Sequence, residues 1–168
     1  AALAPRHDGA ILAAYEDAAT PAEIRLVREG EVAVTLHAPA PRAVRAAPHV
    51  RPEDVTYTSF DGVEIPAFLF RPAGASAETP VPAVVYPHGG PTSQTFRAFV
   101  PFKRVLTAAG FAVLDVDFRG STGYGRAFRE ANHDEWGHAD IHDVIDGARW
   151  ATEQPWSDGR LAIYGGSY

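Results

Sequence analysis

Two short segments carry residues whose types and spacing suit acyl-transfer chemistry. The first, residues 161–168, reads LAIYGGSY. An apolar run enters a glycine turn that bears one serine. A serine held on a tight turn out of a strand, with only small neighbours, exposes its Oγ for attack on a carbonyl carbon. Gly165 and Ser167 fit the first half of a G-x-S-x-G pattern, and the sequence closes at Tyr168, before the position of the last glycine. Glycine-serine turns after strands are also ordinary loops, so the apolar run in front is what favours Ser167 as a nucleophile. The second segment is His88-Gly89-Gly90-Pro91, directly after the apolar run 83–86. Glycines there let backbone N–H groups point into a cleft, where they stabilise the oxyanion that forms as a nucleophile attacks. In such sites the N–H of the residue after the nucleophile, here Tyr168, is the other donor. His88 itself reads as a residue that shapes the turn. The chain order in this chemistry is serine, acid, histidine, which puts the catalytic His after Ser167.

Several other residues invite chemical readings and are better explained structurally. The Arg119 guanidinium is expected to bond loop carbonyls or a carboxylate and so hold its loop in shape. Tyr124 and Phe128 suit core packing better than a substrate wall. Asp140 and Asp143 are expected to cap and charge the start of a helix. They precede the serine, and neither is assigned as the acid of a triad. His138 and His142 lie four apart, on one helical face, with His133 and Asp134 near in sequence. No H-E-x-x-H pattern is present, and no metal site is assigned.

The elements that must position these residues follow from periodicity. Residues 1–50 read as β structure, with runs at 10–15, 23–27 and 31–36 and turns at Pro21 and Gly30. Segment 38–52 is rich in Pro and Ala and reads as a linker. Runs 55–60 and 65–70 flank Asp61-Gly62, a hairpin signal. Strands are expected at 83–86, 111–118 and 160–164. Between them, one helix starts near Pro101 with Phe102, Val105, Leu106 and Ala109 on its apolar face and stops at Gly110. A second runs from about Asp140 to Glu153. Strand, helix, strand, helix, strand implies a parallel sheet with helices on both faces.

Composition narrows the classes of partner. The 168 residues are 46% apolar and 21% charged, as in ordinary globular domains. A net charge of −6, with basic residues scattered singly, argues against nucleic acid as a partner. No stretch of about 18 apolar residues is present, so no membrane partner is expected. Absence of Cys excludes disulfides, thiolate metal sites and cysteine nucleophiles. Absence of Met, together with a close inside the serine motif, reads as a piece of a longer protein. A cytoplasmic location is the default expectation, and oligomerisation is left open.

HGGP at 88–91, DFRGSTGYG at 117–125, the helix after Trp136-Gly137, and YGGSY at 164–168 together resemble the prolyl oligopeptidase family of serine peptidases. The HGGP form is most similar to its acylaminoacyl-peptidase branch. The resemblance covers roughly residues 52–168. It implies an α/β class, an α/β-hydrolase fold that is partial here, with a mostly parallel sheet and flanking helices. Antiparallel strands resembling the end of a β-propeller precede it, so residues 1–50 are expected to be propeller end plus linker and 51–168 the N-terminal half of the catalytic domain. The family implies Ser167 as nucleophile, Gly90 and Tyr168 as oxyanion-hole donors, no cofactor and short peptides as substrates. Its triad Asp and His have no counterpart in this chain and are expected in the remainder of the catalytic domain, in the same or a second chain.

The expected function is hydrolysis of short or N-acylated peptides through an acyl-enzyme on Ser167. A carboxylesterase or lipase-like hydrolase is the alternative within enzymes. A non-catalytic half-chain that needs a complementing partner is the alternative of another kind. Without a general base Ser167 is an ordinary alcohol, and a sheet ending at Tyr164 leaves an unpaired edge. The isolated chain is therefore expected to be inactive and prone to aggregate.

Overall fold

The computed structural model describes residues 3–168, which divide into two compact units: residues 3–51 with 97–101, and residues 52–96 with 102–168. The first unit is a four-stranded antiparallel meander whose spatial order is its chain order: β1 (Leu3–Pro5), β2 (Ile11–Tyr15), β3 (Glu23–Arg28) and β4 (Glu31–His37). The β3–β4 turn is Glu29-Gly30, both in the left-handed region at φ 52° and 83°, the conformation that two-residue hairpins favour. The Asp17 carboxylate accepts from the Ala19 and Thr20 N–H groups and from the Tyr15 hydroxyl, which closes the β2–β3 loop. Segment 38–52, expected to be irregular, contains one short helix, α1 (Arg42–Ala46). Strand β1 was not among the expected strands. It has three residues, one of them a proline that cannot donate to a ladder. Val32, Val34 and Leu36 on β4 are exposed.

The second unit is built on a five-stranded mixed sheet ordered β5-β6-β8-β7-β9. Its strands are β5 (Glu53–Thr58), β6 (Glu64–Phe70), β7 (Val81–Pro87), β8 (Ala112–Val116) and β9 (Ser157–Ile163). β5 and β6 form the hairpin around Asp61-Gly62, and β6 continues antiparallel onto β8. β7, β8 and β9 run parallel, as the alternation of strands and helices predicts. Three helices accompany them: α2 (Pro101–Ala108), α3 (Arg126–Glu130) and α4 (Ala139–Glu153). The core gathers Ile65 and Leu69 of β6, Val85, Leu114 and Val116, with Ala148 and Ala151 of α4 on top.

α4 contains Gly147, which costs a helix interior about 1 kcal/mol relative to alanine. Its role is close approach. A methyl at that position would lie 2.6 Å from the Tyr57 hydroxyl oxygen, which donates to the Asp143 carbonyl at 2.8 Å. Gly147→Ala is therefore expected to destabilise the unit by about 1–3 kcal/mol despite its gain in helix propensity. A lower urea midpoint shows this, and Tyr57→Phe in the same background should recover part of the loss.

α2 is turned over relative to the expected face. Lys103, Arg104 and Thr107 are buried, while Val105 is 64% exposed and Phe102 39%. The reason lies on β8, where Asp115 faces this helix from inside the sheet. The Lys103 ammonium pairs with the Asp115 carboxylate and sits 4.9 Å from the Tyr86 ring centre. Arg104 lies over the Phe70 ring at 4.8 Å. Burial pushes the Asp115 carboxyl up to about 6, with Lys103 opposing the shift. A carboxylate in a strand that is otherwise buried draws the cationic face of the helix inward, because leaving it unpaired costs more than exposing a valine.

Candidate active site

The C-terminal ends of the three parallel strands converge, the usual place for a site in an open α/β sheet. β9 is extended by one ladder bond, from the Tyr164 N–H to the Val85 carbonyl at 2.9 Å. The chain then turns through Gly165 and Gly166 to Ser167, which adopts a φ of 74°. A left-handed serine outside glycine's territory is strained by about 1–2 kcal/mol. It is the conformation expected of a nucleophile displayed on a sharp elbow. Gly165 is needed for space: a methyl there would lie 3.1 Å from the Pro87 carbonyl oxygen.

The His88–Pro91 turn, at the end of β7, lies against this elbow. A methyl on Gly89 would approach the Gly166 carbonyl oxygen to 2.8 Å and the Ser167 Cβ to 3.0 Å. Gly90 has a φ of 146°, and a methyl on it would meet the Thr92 nitrogen at 2.9 Å. The two motifs picked out of the sequence are thus brought into contact. Tyr168, the next residue, donates its hydroxyl to the Asp140 carboxylate. Its ring stacks near Phe118 and meets Trp136 edge-on. Burial, and then the Asp140 carboxylate, push the Tyr168 phenol up to about 12. Tyr168 also lines an apolar hollow of about 540 Å³ with Phe118, Trp136, Ile141 and Ile163.

His88 is a turn-shaping residue. Its Nδ1 lies 2.8 Å from the Gly89 carbonyl oxygen and its Nε2 2.8 Å from the Ser121 hydroxyl. Its ring stacks on Phe118 at 4.6 Å. Asp117, fully buried after β8, holds the neighbouring loop. It accepts from the Thr95 N–H at 2.7 Å, the Thr95 hydroxyl at 2.8 Å and the Tyr124 hydroxyl at 2.6 Å. Thr122 N–H donates to the Ser93 carbonyl, tying the two loops together again. Sequence reasoning passed over Asp117. The available signal was a carboxylate closing a buried apolar strand, which demands partners.

Arg119 binds a carboxylate, not loop carbonyls, and it is central. Its Nη2 and Nε donate to Asp143, at 2.7 Å and 3.0 Å for the shortest contacts. Its backbone N–H donates to the same carboxylate at 2.8 Å. Its Nη1 donates to Asp61 at 2.5 Å, so the hairpin residue has a second use. Ser59 Oγ donates to Asp143 at 2.7 Å. Asp140 charges the first turn of α4, accepting from the Gly137 and Ile141 N–H groups, but it is not the cap: that position is His138, whose side chain makes no capping bond. Asp143 does neither: it lies a turn further on, faces the sheet and is fully buried. Phe128 packs against the core and Tyr124 remains 42% exposed. His138 and His142 lie beside the Phe60 ring, and no cluster of three potential metal ligands occurs among the described residues. Among those residues, no helix is long and apolar enough to cross a membrane.

Residues 99–168 match the model of the Prolyl oligopeptidase family. The acylamino-acid-releasing enzyme of Sus scrofa is 36% identical over 118 residues, which is 70% of this chain and 16% of that protein. Dipeptidyl aminopeptidase BIII of Pseudoxanthomonas mexicana is 36% identical over 121 residues, 68% of this chain and 18% of that protein. The chain thus spans less than a fifth of the length of these relatives. A puromycin-hydrolyzing peptidase of Mycobacterium tuberculosis superposes with a TM-score of 0.78 at 31% identity, over 94% of this chain and 25% of that one. The acylaminoacyl peptidase of Pyrococcus horikoshii gives 0.77 at 23% identity, over 98% and 26%, a likeness of fold.

Proposed function

We propose, from the match of residues 99–168 to the prolyl oligopeptidase family, that this chain carries the N-terminal half of the catalytic domain of a serine peptidase that hydrolyses short or N-acylated peptides. Ser167 Oγ attacks the peptide carbonyl carbon and loses its proton to a histidine base. The C–N bond breaks, the amine leaves with that proton, and water hydrolyses the acyl-enzyme. The backbone N–H groups of Gly90 and Tyr168 hold the oxyanion of the tetrahedral intermediate. The observation that carries this reading is the left-handed Ser167 seated directly against Gly89. Nothing in the scheme calls for a cofactor.

The division of labour along the chain belongs to the same proposal. Residues 1–50 are the end of a β-propeller-like domain with its linker. In support, the meander has the strand order of a blade, and Val32, Val34 and Leu36 are an apolar face without cover in this unit. Residues 51–168 are the N-terminal half of the hydrolase domain. The triad Asp and His come from the remainder of that domain, in the same or a second chain, so the isolated 168 residues are inactive. A cytoplasmic location is the default reading, which a secreted pool in cell fractionation would contradict.

Substrate class is tested with the full-length protein on acyl-amino-acid anilides and on simple esters. Turnover of the anilides is expected. Ester turnover with no anilide or peptide turnover would make the protein a carboxylesterase instead. Peptidase activity from residues 1–168 alone would overturn the assignment of the triad partners to the rest of the domain.

A further inference from the structure

One buried carboxylate reaches both ends of the loop that carries Gly90. The loop leaves β7 at His88 and is anchored again at Thr95. At the far end, Asp117 Oδ1 accepts from the Thr95 N–H at 2.7 Å and Oδ2 from its hydroxyl at 2.8 Å. At the near end, His88 Nε2 stands 3.5 Å from Asp117 Oδ1 and 2.8 Å from Ser121 Oγ, on the same loop as Asp117. Asp117 Oδ2 also accepts from the Tyr124 hydroxyl at 2.6 Å. Between these anchors lie Gly89, Gly90 and Pro91, with Gly89 pressed on Ser167.

We propose that Asp117 is a positioning residue for the oxyanion hole: by gripping Thr95 and facing His88 it sets where the Gly90 N–H points relative to Ser167. This rests on the reading of Ser167 and Gly90 given above. The physical argument is one of reach. A glycine turn has many conformations, and an oxyanion donor works only when it lies about 2.7–3.1 Å from the developing charge. Something rigid must choose among them. Asp117 is fully buried at the end of β8, which is paired on both sides in the sheet, and its carboxylate meets the Thr95 N–H and the Thr95 and Tyr124 hydroxyls in place of water. Neither Asp117 nor Thr95 needs to touch substrate. Their effect is confined to the state in which the oxyanion exists, so they should act on kcat and leave KM nearly alone.

The test uses the full-length protein, an acyl-peptide anilide as substrate and a peptide aldehyde as a mimic of the tetrahedral intermediate. Active enzyme is counted by titration with a fluorophosphonate, so that loss of folded protein is not read as loss of rate. Thr95→Val removes one grip, and Asp117→Asn reverses another at constant size. Each is expected to lower kcat about 10- to 100-fold, with KM within about twofold. The aldehyde should weaken in parallel, and Thr95→Ser, which keeps the hydroxyl, should return most of the rate. If Thr95→Val folds and titrates normally with kcat unchanged, or if KM carries the loss, the proposal is overturned while the peptidase reading stands. A wild-type protein that neither cleaves the anilide nor takes up the fluorophosphonate would overturn that reading itself, and this inference with it.

Discussion

Ser167→Ala in the full-length protein is expected to lower kcat by roughly 10⁵- to 10⁶-fold while leaving peptide binding intact, the scale seen when the nucleophile of a triad is removed. The side chain that attacks is gone, and no neighbour replaces it: Gly165, Gly166 and Gly89 surround it with backbone. Folding should be unaffected, because alanine at a φ of 74° bears nearly the same strain as serine. Ser167→Gly separates strain from chemistry. It should be equally inactive, yet more stable than Ser167→Ala by up to about 1 kcal/mol, since glycine tolerates the left-handed turn. Rates on an anilide and urea midpoints for the three proteins check both statements. A Ser167→Gly protein less stable than Ser167→Ala would show that the elbow is not strained.

Asp143→Ala is expected to have the largest effect on stability, about 3–5 kcal/mol, the usual result of stripping one partner from a buried ion pair. The Asp143 carboxylate receives the Arg119 guanidinium, the Arg119 N–H and the Ser59 hydroxyl, with no exposure to water. Removing it leaves a guanidinium that is itself buried, with Asp61 as its remaining charged partner. Such a loss approaches the whole stability of a marginal domain, so the variant should accumulate as insoluble or protease-sensitive protein. The sign distinguishes roles. A triad acid turned to Asn would leave a folded protein of low activity, whereas Asp143→Asn should lose fold and activity together. Circular dichroism with urea unfolding reads the difference.

Much of the frame was legible because it is written locally. Asp61-Gly62 between two apolar runs marks a hairpin, the parallel strands follow from short continuous apolar runs, and α4 follows from the 3.6 period. The elbow and the HGGP turn were legible because glycine is the residue type their close approach requires. Other features depend on partners outside the element that carries them. The inward face of α2 is chosen by Asp115, seven residues beyond the helix end by numbering, and a moment built from apolar residues alone points it the wrong way. Asp143 reads as a helix-start acid until Arg119 is placed beside it. Asp117 reads as part of a motif until Thr95 arrives from another loop and Tyr124 folds back from its own. In each case a buried charge overrides local pattern, since leaving it unpaired costs more than a few exposed methyl groups.

The central claim is that Ser167 is a nucleophile activated by groups outside residues 1–168. Labelling with a reactive fluorophosphonate, followed by peptide mass spectrometry, addresses it directly. The full-length protein should take up one label, on Ser167, and residues 1–168 alone should take up none under the same conditions. A label on another serine of the full-length protein, or none at all, would contradict the assignment, and equal labelling of Ser167 in the isolated chain would contradict its dependence on the rest of the domain.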